Sequence, residues 1–329
     1  MQRRPMWRGP WHWVIRLIVV PVTLASVAVA GSSCSTGHVV TSSTEKSHVV
    51  EPSAGCGRSL ARASVAAGRH QARTLDAEGV TGSYDLSVPR TYRAHRPVPL
   101  ILLFYGFDSD PTQFSALTGL PARGSADGDL VVVPHTQGAE SEWQFNAHGT
   151  DAAFVDALVA SLELTYCVDR HSVFAAGFSA GAAFTIIYAC ARQDRITAIA
   201  TVAVEFQLGC TRSMSIMAFH GTEDPLVPYR NGAIGLSLPG VRVRGTERNM
   251  GDWAQLDHCR AIPHQTRIGS QVVEQQWRGC ARAASVVLYT IVGGGHSWPG
   301  ADPDRAPGLT TQQVSATSQI LSFFDSFGS

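Results

Sequence analysis

A serine framed by glycines, a carboxylate in a proline-stiffened loop and a histidine in a glycine-rich loop follow one another along the chain. They are Ser179 in Gly177-Phe178-Ser179-Ala180-Gly181, Asp224 in His220-Gly-Thr-Glu-Asp-Pro-Leu-Val-Pro-Tyr229, and His296 in Gly293-Gly-Gly-His-Ser-Trp-Pro-Gly300. A serine hydroxyl is a poor nucleophile until a neutral imidazole accepts its proton. That imidazole in turn needs a buried carboxylate to fix its tautomer and stabilise its cation. The order Ser, acid, His is the one in which a strand-to-helix turn presents a nucleophile above a parallel sheet. Glu223, next to Asp224, is the rival acid, but as a neighbour it points elsewhere. His135, His148, His171 and His264 read as ordinary histidines, and His220 as a brace for the acid loop rather than a proton carrier.

The serine motif sits where this chemistry needs it, after the apolar run Val173-Phe-Ala-Ala176 and before a helix-like apolar segment. Its glycines leave room for a tight turn, and the N–H groups of the following helix face developing negative charge. A tetrahedral intermediate also requires donors for its oxyanion. The backbone N–H of Ala180 supplies one, and Phe107, which follows Tyr105-Gly106, is the expected second.

These residues need a sheet to carry them. Strands are expected at Ser83 to Val88, Pro97 to Tyr105, Leu130 to Pro134, Ser172 to Gly177, Ala198 to Val204, Ser215 to His220 and Ser285 to Ile291. Helices are expected at Asp151 to Glu163, Ala180 to Arg192, Trp253 to Cys259 and Thr311 to Phe324. Strands alternating with helices predict an α/β fold: a mainly parallel central sheet with helices on both faces and ligand chemistry at the carboxyl ends of the strands.

The chain now resembles a known family, the extracellular polyhydroxybutyrate depolymerase and feruloyl esterase group of α/β-hydrolases. The resemblance rests on Gly55-Cys56-Gly57, Tyr166-Cys-Val-Asp169, Gly177-Phe-Ser-Ala-Gly181, His220-Gly-Thr-Glu-Asp-Pro225 and the Gly293 to Gly300 stretch. It implies the α/β-hydrolase fold, a triad of Ser179, Asp224 and His296, no metal or cofactor, and ester substrates in extracellular polymers or their fragments. One position departs from the group: its usual His-Gly before the oxyanion loop is here Tyr105-Gly106. Trp143 and Trp298 resemble aromatic positions that line acyl or aryl pockets, and Tyr105 is a further pocket candidate.

Composition narrows the remaining choices. With 26 Lys plus Arg against 26 Asp plus Glu, there is no excess charge to attract a phosphate backbone, so a nucleic-acid partner is not expected. Lys46 is the sole lysine, which leaves a Schiff-base or Ser-Lys mechanism without a residue in the folded part. No C-x-x-C or H-x-x-x-H spacing suggests zinc.

Residues 1–33 read as an export signal: Arg3, Arg4, Arg8 and Arg16 precede an apolar run from Leu17 to Ala30 ending in small residues. As a helix that run spans about 21 Å, short of a ~30 Å hydrocarbon core. Cys34 opens a polar linker, 34–54, in the manner of a lipidated bacterial cysteine, although Gly31 is unusual for such a site. A lipid at Cys34 is the single membrane contact expected, and either fate puts the 55–329 catalytic domain outside the cytoplasm. Setting Cys34 aside, Cys56, Cys167, Cys190, Cys210, Cys259 and Cys280 are an even set suited to disulfides there, with Cys259 to Cys280 the favoured pair. Two functions are carried forward: a carboxylic-ester hydrolase acting through an acyl-enzyme, and a non-catalytic surface lipoprotein that keeps the fold for binding.

Overall fold

The apolar runs become strands covered on both faces. The structure is a computed structural model and describes residues 49–328 apart from 62–63, 78, 138–141 and 235–241. The expected export signal, Cys34 and most of the linker lie outside the described residues. In chain order the first elements are β1 (His70–Ala77), β2 (Val80–Ser87), β3 (Val98–Phe104), α1 (Pro111–Thr118), α2 (Leu120–Asp127), β4 (Leu130–Pro134) and α3 (Thr150–Thr165). Next come β5 (Val168–Phe178), α4 (Ala180–Ala191), β6 (Ala198–Val202), β7 (Ser215–Gly221), the short pair β8 (Gly232–Ala233) and β9 (Arg242–Val243), and α5 (Thr246–Leu256). The chain closes with β10 (His264–Ile268), β11 (Val272–Trp277), β12 (Val286–Ile291) and α6 (Ala316–Asp325).

Among the described residues one sheet has the order β1-β2-β4-β3-β5-β6-β7-β12-β11-β10. Its centre, β4-β3-β5-β6-β7-β12, is parallel throughout. Antiparallel β1–β2 and β11–β10 extend the two edges. Every residue of β4, β6, β7 and β12 is buried, as a strand covered on both faces requires.

Right-handed crossovers decide the layers. The chain steps one way from β3 to β4 and the other way from β4 to β5 and β6, so α1–α2 and α3–α4 cover opposite faces. On one face Tyr188 of α4 donates to Asp156 of α3 at 3.0 Å, and Phe184 packs edge-on against Phe104. On the other, Phe324 of α6 stacks on Phe174 of β5 at 4.6 Å, while Thr317 donates to the Thr118 carbonyl. The chain leaves β3 and β5 in opposite directions, and a crevice opens at such a switch point, outside the carboxyl ends of the strands. Phe107 follows β3 there and Ser179 follows β5.

The differences from the sequence expectation have local causes. Helix α5 begins at Thr246, ahead of the expected Trp253, because its early turns are polar except for the inward Met250. Helix α6 begins at Ala316, capped by the Ser315 hydroxyl, whereas Thr311 belongs to the preceding loop and its carbonyl accepts from Gly300 N. The edge strands β1 and β10 are largely exposed and polar, so they carry little hydrophobic signal.

Three disulfides link the six cysteines of the described domain: Cys56–Cys167, Cys190–Cys210 and Cys259–Cys280. They suit an oxidising compartment. The first ties the start of the domain to the entrance of β5, and the second ties the end of α4 to the loop after β6. Among the described residues no helix is long and apolar enough to cross a membrane.

Replacing Cys56 and Cys167 together by serine is expected to lower unfolding stability by about 4 kcal/mol, because the bond closes a long loop in the unfolded chain. Denaturant titration of the variant beside the parent checks this, and equal midpoints would contradict it.

Candidate active site

The strand-to-helix turn comes first, because every other group is placed around it. Ser179 has φ 54° and ψ −119°, a strained positive-φ conformation that a serine adopts only when its surroundings enforce it. Its N–H donates to Val202 O at 2.9 Å, and α4 starts at the next residue. Two residues into α4 the helix touches β3: a Cβ on Gly181 would stand 2.2 Å from the Phe104 carbonyl oxygen. Glycine there lets α4 press against the end of β3. Gly106 lies against Ser179 from the other side, its Cβ direction pointing at Phe178 and at Ser179 Cβ 3.5 Å away. Ala180 opens α4, where the first N–H groups lack a carbonyl one turn earlier and face outward.

The histidine arrives from the loop after β12. His296 N donates to Pro307 O at 2.9 Å, and the imidazole packs on Phe178, the residue before the serine, with ring centres 4.9 Å apart. Its Nδ1 lies 2.7 Å from Asp224 Oδ2. The other oxygen, Asp224 Oδ1, accepts from Leu226 N at 2.8 Å and Val227 N at 2.9 Å. Glu223 is exposed, and its backbone N–H instead donates to Gly294 O, which fastens the acid loop to the histidine loop. Burial raises the cost of a charge at Asp224, yet hydrogen bonds from His220 and His296 hold its carboxyl well below the usual range.

Behind Asp224 lies a second charged layer. His220 Nδ1 is 2.6 Å from Glu205 Oε2, and its Nε2 is 2.9 Å from Val227 O and 3.5 Å from Asp224 Oδ2. Both side chains are almost fully buried. Desolvation works against the His220 cation, but Glu205 and Asp224 together raise its pKa well above the ordinary histidine range. Glu205 is the residue that motif reading passed over. The available signal was a lone carboxylate inside the apolar stretch Ala198 to Phe206, where hydrophobic packing gives it no reason to be.

The aromatic residues expected at a pocket wall occupy a different layer. Tyr105, Trp143 and Trp298 are each no more than 3% exposed. Trp143 Nε1 donates to Tyr105 O at 2.7 Å, and Tyr105 Oη accepts from Thr136 N at 2.8 Å. These bonds fix the end of β3 in the place where the related group has histidine. Trp298 Nε1 donates to Thr317, and its ring packs edge-on against Phe114. The three side chains support the site from beneath, because each polar atom found a partner in the interior. Phe107, just after β3, and Phe145, two residues past Trp143, are 49% and 47% exposed.

The doubly covered, mainly parallel sheet is that of an α/β-hydrolase. Feruloyl esterase C of Emericella nidulans is 30% identical over 224 residues, 65% of this chain and 75% of that protein. Feruloyl esterase D of Neurospora crassa is 27% identical over 270 residues, 77% of this chain and 85% of that protein. The chain belongs to the feruloyl esterase family of α/β-hydrolases and is a carboxylic-ester hydrolase. Among solved structures, an acetyl xylan esterase from Aspergillus awamori superposes with a TM-score of 0.53 at 12% identity, over 69% of this chain and 94% of that one, a likeness of fold. No protein-family model matches the chain.

Substituting Gly181 by alanine is expected to push α4 off β3 and displace Ser179 and Ala180 together. Ester hydrolysis should fall by about 10²-fold or more, the cost of misplacing a reacting group by roughly an ångström. Steady-state kinetics of the folded variant tests it, and parental turnover would show that the contact does not set the turn.

Proposed function

We propose that the protein is an exported serine esterase in which Ser179 is the nucleophile, His296 the general base and Asp224 the acid, acting on feruloyl-type aryl esters. The observation that carries the reading is the 2.7 Å approach of His296 Nδ1 to Asp224 Oδ2, with the imidazole packed on the residue before Ser179. With Nδ1–H donated to Asp224, Nε2 is left as the proton acceptor. Ser179 Oγ loses its proton to Nε2 as it attacks the ester carbonyl, and the N–H groups of Ala180 and Phe107 receive the oxyanion. His296 then protonates the departing alcohol, leaving an acyl-enzyme. Water, activated by the same imidazole, releases the acid and restores the serine.

The aryl preference rests on the feruloyl esterases among the relatives and on the exposed rings of Phe107 and Phe145, which would offer faces to a cinnamoyl group. Short hydroxyalkanoate esters are the second substrate class of the same site. Export rests on the leader-like residues 1–33 and on the three disulfides, and lipidation of Cys34 would hold the enzyme at the cell surface.

Methyl ferulate and a set of short p-nitrophenyl esters, given to the purified domain, should all be turned over, with the ferulate preferred. Ser179→Ala and His296→Ala should each cost at least ~10³-fold in turnover. A parent that neither turns over the panel nor reacts with a fluorophosphonate would instead favour the non-catalytic binding lipoprotein.

A further inference from the structure

The buried charges behind Asp224 have a consequence for the reaction itself. His220 closes β7 with its side chain inside the protein, and each ring nitrogen meets an oxygen. Nδ1 faces the Glu205 carboxylate at 2.6 Å and Thr246 Oγ1 at 2.9 Å, and Nε2 faces the Val227 carbonyl at 2.9 Å. A carbonyl oxygen only accepts, and an ionised carboxylate only accepts. A neutral imidazole beside an ionised Glu205 would therefore set a nitrogen lone pair against an oxygen lone pair on one side or the other. The arrangement is satisfied on both sides when the ring carries both protons.

The surroundings are built for that charge. The chain turns after β6 at Ala203, whose φ of 69° is unusual for alanine and whose N–H donates to Phe219 O. This turn carries Glu205 inward beneath the acid loop. Helix α5 then holds the carboxylate: Asn249 Nδ2 donates to Glu205 Oε1 at 3.0 Å, and Trp253 Nε1 donates to the Glu205 carbonyl at 2.8 Å. Tyr229 packs its ring edge-on to His220 at 5.6 Å, its hydroxyl bonded to Thr290 of β12 and to Glu247 of α5. The charged or titratable groups around the ring are thus Glu205, Asp224, Tyr229 and, through the tyrosine, Glu247, with His296 beyond Asp224. The opposing pull of Glu205 and Asp224 outweighs desolvation and favours the cation, and burial that raises Glu205 is overruled by His220 and Asn249.

We propose that His220 and Glu205 are positioning residues of the esterase reaction: a permanent imidazolium, held by Glu205, sits on the far side of Asp224 and balances part of the negative charge that His296 faces. The inference rests on the triad assigned above. Asp224 lies between two histidines with opposite duties, His220 remaining charged while His296 cycles between neutral and charged. The cation offsets part of the Asp224 charge that His296 experiences. In the resting site the three groups behind His296 carry minus, plus and minus. Removing the plus charge leaves two negative charges facing His296, and removing the outer minus charge leaves none in net.

The test is the pH dependence of kcat/KM on methyl ferulate for the parent, His220→Gln, Glu205→Gln and the double variant. The acidic limb should move up by about one pH unit in His220→Gln, down in Glu205→Gln, and back toward the parent in the double variant. A merely structural role would lower kcat or stability without shifts of opposite sign. Limbs that stay in place, or that move together, would overturn the proposal. Should a variant fail to fold, nitrogen-15 NMR of histidine-labelled parent protein at pH 8 decides. One ring in contact with Thr246 should show both nitrogens protonated, and histidines that are all neutral, the proton residing on Glu205, would overturn the proposal. A fully active His296→Ala variant alongside that imidazolium signal would defeat the triad and leave the buried cation standing, so the two failures are distinguishable.

Discussion

A carboxylate with none of its side-chain surface exposed has to remain ionised at Asp224, and the organisation of the site follows from meeting that requirement. Desolvating a carboxylate without compensation would drive it to its neutral form, in which it could not stabilise an imidazolium. The compensation comes from several elements at once. Leu226 and Val227 N–H groups of the acid loop bind one oxygen, His296 binds the other, and His220 approaches from behind. Each donor requires its own anchoring: the acid loop is tied to the histidine loop through Glu223 N and Gly294 O, and His220 is held by Glu205, which α5 secures. The parallel order β5-β6-β7-β12 is what allows loops far apart in sequence to meet around one oxygen pair.

The same logic explains the departure at Tyr105. Where the related group has histidine before the oxyanion loop, this chain buries a tyrosine whose hydroxyl is bound by Thr136 N and whose carbonyl accepts from Trp143. Asp151, in the first turn of α3, accepts from Gln137 N and Gln144 N at 2.7 Å each and so holds the loop that delivers both partners. A different set of hydrogen bonds thereby fixes the end of β3, and Gly106 still passes against Ser179.

Much of this was legible in the sequence, for identifiable reasons. The central strands are buried on both faces and therefore spell out apolar runs, and the serine motif announces its own turn because no other short pattern gives glycine room on both sides of a hydroxyl. Asp224 and His296, proposed as acid and base, drew notice because each sits in a loop stiffened by proline or loosened by glycine, and the structure brings the two within 2.7 Å. What escaped reading was whatever depends on a partner distant in the chain. Glu205 looks like an isolated charge until His220 is placed beside it, and the inward direction of Trp143 depends on a carbonyl 38 residues earlier. Polar edge strands escaped because nearly all of their residues face water, which leaves no buried face to show alternation.

The central claim, that ester cleavage passes through a covalent intermediate on Ser179, is tested most directly by stopping the reaction in progress. Acid-quenching the enzyme during turnover of an aryl ester and mapping its peptides by mass spectrometry should find the acyl group on the peptide containing Ser179, fading as substrate is exhausted. An acyl group carried by a different residue, or steady turnover under conditions that trap acyl-enzymes of known serine esterases with no adduct anywhere on the chain, would contradict the account.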